Sequence, residues 1–308
     1  MTNLKKLGLT ALAGSLVATS GFAGSLDVTG SAKASYTSDG ASAANNPWSM
    51  SRAITFAGGG ELDNGMNVSV TMVTDTASTT FSSSSLVLDM GDAGALKLAN
   101  GMSAGHGMGA YRDKMPTAGE EVWDDLDGEA NGHIAMDSAN TISYGNTVSG
   151  VNFSLNYNKN TGGLGSDKSI AADFAPIDGM MVFAATGDVS ASMTETDTHR
   201  TIGGTYTTMG ATVGMQLTSI DDATANSDTD RTHIAASFAV NENMSVSYGM
   251  STVEFESASK TDQEDSGFAV SYTMGSMSFG ASVNASDNVG GTSGTDDTHK
   301  EMSVAFAF

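Results

Sequence analysis

The stretch FAVSYTMGSMSFGASVN at residues 268–284 holds two runs of strict alternation joined by a tight turn. Phe268, Val270, Tyr272 and Met274 share one parity, with Ala269, Ser271 and Thr273 between them. Met277, Phe279, Ala281 and Val283 alternate with Ser278, Gly280, Ser282 and Asn284. Successive side chains of a β-strand point to opposite faces. Each run therefore has one apolar face and one small, polar face. Gly275-Ser276 supplies the positive-φ position that a short hairpin needs.

The same pattern extends outward from this hairpin. Val151, Phe153, Leu155 and Tyr157 alternate with Asn152, Ser154 and Asn156. Met244, Val246, Tyr248 and Met250 alternate with Ser245, Ser247 and Gly249. The chain ends on Met302, Val304, Phe306 and Phe308 against Ser303, Ala305 and Ala307. Turn signals fall at Asp63 to Gly65, Gly91 to Gly94, Thr147 to Gly150, Pro176 to Gly179, Thr208 to Gly210, Asn241 to Asn243 and Gly275-Ser276. Longer polar stretches lie near residues 38–49, 74–80, 101–138, 158–167, 187–198, 219–231, 255–266 and 285–298. Seven short turns alternating with eight long loops predict sixteen strands. Pro47, Pro116 and Pro176 all fall in loops or turns.

Composition narrows the architecture. Lys5 and Lys6, the apolar run from Leu7 to Val17 and the small residues Gly21 and Ala23 predict a secretory signal peptide over residues 1–23. That run is far short of the roughly 20 residues of a spanning helix. The barrel domain is then residues 24–308. Cysteine is absent, so no disulfide holds the fold. The 35 acidic residues outnumber the 13 basic ones, for a formal net charge of −22. Leu and Ile are scarce, and a packed soluble core of this size would need more of them. A barrel with a wet interior needs apolar residues only on its outer face. A β-sandwich or a secreted β-solenoid also alternates. The regular succession of short turns and long loops favours an all-β, sixteen-stranded antiparallel transmembrane β-barrel. In lipid every backbone donor must be paired, so such a sheet must close. Sixteen strands enclose a water-filled channel.

Several stretches carry a family resemblance. Gly24 to Gly30, GSLDVTG, opens on a strand as Gram-negative porins do. SRAITF at 51–56 with GELDNG at 60–65 resembles the second strand and first tight turn of alphaproteobacterial porins. Leu96-Lys97-Leu98, leading into a long loop, resembles their fifth strand and constriction loop. Phe308 on an alternating terminal strand resembles the signal read by barrel-assembly machinery. The resemblance to Gram-negative general porins covers the chain from Gly24 onward. It implies a homotrimer in the outer membrane, in contact with lipid and lipopolysaccharide. It also implies a diffusion channel for small hydrophilic solutes. The dense arginine ladder of several family members is missing here.

The loop near 101–138 is the longest and the richest in acid. It is expected to fold into the lumen and set a constriction. Glu120, Glu121, Asp124, Asp125 and Asp127 would be its acidic lining, beside Arg112 and Lys114. Trp123 would pin it to the wall or sit at the rim. Carboxylates along a pore raise the local concentration of cations, so a cation preference is expected. Basic partners are expected on the wall. Lys33 is opposite in parity to Leu26 and Val28, and Lys97 lies between Leu96 and Leu98, so both should face the lumen. Arg52 shares the parity of Ile54 and Phe56. It joins the wall only if a bulge or a rim position turns it inward.

No enzyme reading emerges. The histidines 106, 133, 199, 233 and 299 have no metal-ligand spacing, and no nucleophile elbow or phosphate loop is present. The charge disfavours nucleic acid. No resident metal or cofactor is expected. The pairs Asp221-Asp222, Glu264-Asp265 and Asp296-Asp297 have the oxygen chemistry for weakly bound calcium, and solvated loop charge is the simpler reading of each. Two other functions fit the pattern: a structural or adhesive surface barrel with partner-binding acidic loops, and a substrate-specific channel.

Overall fold

The computed structural model describes residues 24–39, 46–75, 81–101, 105–121, 126–128, 132, 140–159, 165–192 and 195–308. The expected signal peptide lies outside the described residues. Sixteen strands follow one another along the chain. They are β1 (Ser25–Asp39), β2 (Trp48–Glu61), β3 (Asn67–Asp75), β4 (Ser83–Asp89), β5 (Ala95–Asn100), β6 (Thr141–Val148), β7 (Val151–Lys159) and β8 (Ser166–Phe174). Then come β9 (Met180–Ser190), β10 (Thr196–Thr208), β11 (Ala211–Asp221), β12 (Thr229–Ala239), β13 (Met244–Phe255), β14 (Gln263–Met274), β15 (Met277–Asp287) and β16 (Asp297–Ala307). Each pairs antiparallel with its sequence neighbours, and β1 pairs with β16, so the sheet is a closed barrel. Closure gives every strand a paired neighbour on both sides.

The closing seam extends past the strands themselves. Gly30 N–H donates to the Phe308 carbonyl at 2.6 Å, and Phe308 N–H donates to the Gly30 carbonyl at 2.9 Å. A Cβ on Gly30 would lie 2.3 Å from the Phe308 ring, so the terminal aromatic fills the space above this glycine. The last residue of the chain thus joins the first strand.

The two parities separate cleanly. On β7, Leu155 and Tyr157 are 43% and 46% exposed, while Asn156 between them is 5% exposed. Val213, Met215 and Leu217 on β11 face outward, while Thr212, Gln216 and Thr218 are buried. Apolar side chains therefore cover the outside and polar ones line the inside.

All seven short turns fall where turn chemistry puts them. Ser149-Gly150 and Met209-Gly210 both have positive φ at their two central positions, the geometry of a two-residue type I′ hairpin. Six of the eight opposite connections are shorter than polarity suggests. Only residues 222–228 separate β11 from β12, because Ser219 pairs with Asp230 and Asp230 with Glu254. Charged residues at a rim can pair their backbones as well as apolar ones do, so acidity is a poor marker of where a strand ends.

Met209 holds φ at 47° with its side chain 95% exposed, so it bears the left-handed strain with no packing in return. Asn tolerates this region far better. Met209→Asn is expected to stabilise the barrel by up to about 1 kcal/mol, read from urea unfolding in detergent.

Candidate functional site

The inner wall binds the backbone of the long loop. Asn156 Nδ2 donates to the His106 carbonyl at 2.6 Å, and the His106 ring meets Ser143 Oγ at 2.9 Å. Gly107 N–H donates to Ser154 Oγ and Met108 N–H to Ser169 Oγ, at 2.7 and 3.0 Å. Gln216 Nε2 donates to the Tyr111 and Arg112 carbonyls at 3.1 and 3.0 Å, and its Oε1 accepts from Lys114 N–H. Ala118 N–H donates to Ser247 Oγ at 2.9 Å, and Asn284 Nδ2 donates to the Glu121 carbonyl at 2.9 Å. Gln263 Nε2 donates to the Gly128 carbonyl at 3.0 Å.

These partners sit on β6, β7, β8, β11, β13, β14 and β15, all on the polar parity. From His106 to Glu121 the chain passes from β7 to β15, eight strands away. Eight strand spacings of about 4.8 Å take roughly 38 Å along the wall before tilt, and more on its outer surface. The route along the inner face is the shorter one, and it is the face carrying the bonded side chains. Serine, asparagine and glutamine here satisfy loop backbone that no sheet pairs.

An apolar contact fixes the loop's first half. Met108 and Tyr111 pack with Ala171, Phe183 and Ala185, and all five are buried. The Tyr111 and Phe183 rings stack with centroids 5.2 Å apart. Tyr111 Oη donates to Asp173, which also accepts from Asn152 Nδ2 at 2.9 Å. Burial and the Asp173 carboxylate push the Tyr111 phenol up, so it stays a donor. Two glycines make room for the loop. A Cβ on Gly214 would meet Pro116 Cδ at 2.7 Å, and one on Gly145 would meet His106 Nε2 at 2.6 Å. Burial, then the Lys97 charge, hold the His106 imidazole below its ordinary value.

The expected site residues are distributed unevenly. Lys33 and Glu120 come together, with the ammonium 3.0 Å from Glu120 Oε1 and 2.6 Å from Glu301 Oε1. Lys97 has the inward parity of buried Ala99 but stands on the His106 side. Arg52 does not join them. The β1–β2 register runs unbroken through Ala32–Arg52 and Gly30–Ile54, so no bulge intervenes and Arg52 stays on the outer face with Met50 and Ile54. Its stem can lie along that apolar surface with the charge toward water. Lys114 Nζ stands 5.4 Å from the centre of the Tyr111 ring, and Arg112 acts electrostatically on Arg231. Asp127 is exposed, and its N–H donates to Asp297 at 2.8 Å. Trp123, Asp124 and Asp125 lie outside the described residues.

In two of the acidic pairs the members have different settings. Glu264 and Asp265 point to opposite faces of β14, the first exposed and the second 3% exposed. Asp221 is ion-paired with Arg200. Among the described residues no three His, Asp or Glu side chains are grouped to hold a metal.

Phe183, Glu301 and Arg231 are the residues that sequence reading passed over. Phe183 is a large aromatic on the polar parity of β9, and that break in alternation was its signal. Arg231, whose Nη1 donates to the Gly132 carbonyl at 2.7 Å, fell inside an expected loop. Glu301 carried no signal beyond its parity.

Comparison with known proteins agrees with this geometry. Residues 8–308 match the family described as Gram-negative porin. No curated protein sequence matches. The fold is similar to an anion-selective porin from Comamonas acidovorans, at 15% identity and TM-score 0.70, covering 92% of this chain and 100% of that one. It is also similar to OmpT, an outer membrane protein of Vibrio cholerae, at 11% identity and TM-score 0.71, covering 94% and 99%. A mutant of the Rh. blastica porin aligns at 13% identity and TM-score 0.63, covering 92% and 100%. The chain belongs to the Gram-negative porin family, and is an outer-membrane β-barrel channel rather than an enzyme.

Proposed function

We propose that this porin is a general diffusion channel for small hydrophilic solutes and ions, with a preference for cations. The observation that carries the reading is the run of hydrogen bonds holding residues 106–121 and Gly128 against the polar wall. A segment held there would narrow the lumen, and its side chains would border whatever passes. The acidic lining would be Glu120, Glu121 and Asp127, continued by Asp124 and Asp125. Lys33, Lys97, Arg112 and Lys114 are the basic counterweight, and the acid surplus of the chain favours cations. Trp123 would brace the loop. The working assembly is a homotrimer in lipid and lipopolysaccharide. Barrel-assembly machinery would insert it, with Phe308 as the recognised end. Weak calcium binding at the acidic mouth would be incidental to transport.

Conductance in a planar bilayer tests this. Folded protein should give stepwise, ohmic currents, and a properly folded barrel that stays silent would sink the channel reading. Glu120→Gln combined with Glu121→Gln should move the reversal potential toward anions, while an unchanged potential removes these residues from the passage.

Gly214→Val tests the loop's seat. A Cβ there would meet Pro116 Cδ at 2.7 Å first, ahead of Met115 at 3.1 Å and Thr205 of β10 at 3.2 Å, so the loop takes the closest clash. Single-channel conductance should rise or become noisy, while the barrel keeps its resistance to unfolding in cold detergent.

His106 gives a pH dependence. Its folded value is lowered, so the neutral ring favours the docked state. That contribution is complete above the ordinary imidazole value of about 6.5 and is lost as pH falls through it toward the folded value. Between pH 7.5 and 5.5 the parent barrel should lose more thermal stability than His106→Gln does. Equal losses would remove His106 from the linkage.

A further inference from the structure

Gln263, the first residue of β14, binds two loops at once. It is 1% exposed. Its Nε2 donates to the Gly128 carbonyl at 3.0 Å and to Asp265 Oδ1 at 2.9 Å. Its Oε1 accepts from Gly290 N–H at 2.8 Å. Turning the amide over would set its oxygen against two acceptors and break all three bonds, so its orientation is fixed. Gly128 belongs to the long loop, and Gly290 to the β15–β16 connection. The two backbones meet beside this amide. Gly128 has φ +72°, and a Cβ there would lie 2.9 Å from Val289 Cγ1 and 3.0 Å from Gly290 N. The Asp127 N–H bond to Asp297 adds a second tie, where the connection enters β16.

The connection is itself a bonded unit. Val289 N–H donates to the Thr295 carbonyl at 2.8 Å, and Gly294 N–H donates to Asn288 Oδ1 at 3.0 Å. It is also tied to the β13–β14 connection. Asn288 Nδ2 donates to the Asp262 carbonyl at 3.1 Å, and Thr261 N–H donates to the Gly291 carbonyl at 3.0 Å. A displacement of this unit therefore reaches Gly290 and, through the Gln263 amide, Gly128.

We propose that Gln263 is a positioning residue for the passage, coupling the β15–β16 connection to residues 126–128 of the long loop. Whatever shifts that connection then alters the opening. The inference rests on the reading that this part of the loop borders the passage.

Asn288→Gly tests the coupling from the far side. Glycine keeps the positive φ of 57° and removes the bonds to Gly294 and Asp262, neither of which belongs to the long loop. Two readouts are taken on the folded, full-length channel. One is open-channel current noise in a planar bilayer. The other is the mobility of a nitroxide on Asp127→Cys, a unique thiol because the chain has no cysteine. Asn288→Gly should raise both. Gln263→Met should raise the noise roughly fivefold, the population change set by one lost hydrogen bond. In the Gln263→Met background Asn288→Gly should add less than half of its effect in the parent. A loop held by the wall alone would not respond to Asn288→Gly, so an unchanged nitroxide overturns the proposal. Equal effects in both backgrounds overturn it too, because the coupling then bypasses Gln263. If Gln263→Met does not assemble, Gln263→Glu takes its place, since it still accepts from Gly290 but cannot donate to Gly128. Asp127→Asn separates the two readings. If it shifts the reversal potential while the nitroxide ignores Asn288→Gly, only this proposal falls. If the nitroxide responds but neither noise nor reversal potential changes, the passage does not run past residues 126–128 and both readings fall.

Discussion

Backbone groups inside a hydrocarbon layer have no water to bond, and the rest of this structure follows from that constraint. Each strand must find two neighbours, so β1 must meet β16. The terminal residue takes part directly, with Phe308 bonded both ways to Gly30 and its ring over that glycine. Closure then fixes an inside and an outside for every residue. Strict alternation turns that choice into a greasy exterior and a polar lumen.

A polar lumen has a second consequence. Its serines, asparagines and glutamines can satisfy backbone that belongs to no sheet. Between His106 and Gly128 the described residues of the loop draw hydrogen-bond partners from nine strands, and most of those wall side chains bind main-chain atoms. Such bonds tolerate many side chains on the loop itself. The apolar contact of Met108 and Tyr111 with Phe183 and the cavities left by Gly145 and Gly214 supply the register. The wall thus fixes where the described part of the loop lies.

Charge placement departs from a simple acidic loop facing a basic wall. Lys33 is bound to the loop acid, Lys97 stands beside His106, and Arg52 is on the outer face. Buried or half-buried charges need partners, so the few basic residues are drawn to nearby carboxylates.

The sequence by itself determined the strand number, all seven turns, the parity of Lys33 and Lys97 and the membership of the chain in an exported barrel class. Those properties rest on period-2 alternation and on turn residues with positive φ, and both are local. It overestimated six of the eight loop lengths, because rim carboxylates alternate and pair like any strand residue. Only the tertiary structure decided which parity faces the lumen, since alternation is symmetric until the sheet closes. Only it brought Lys33 of β1 to Glu120 and Glu301, which are 87 residues away in the loop and at the far end of the chain. Contacts across a closed ring depend on register and on the path of a long loop, and no local pattern encodes either.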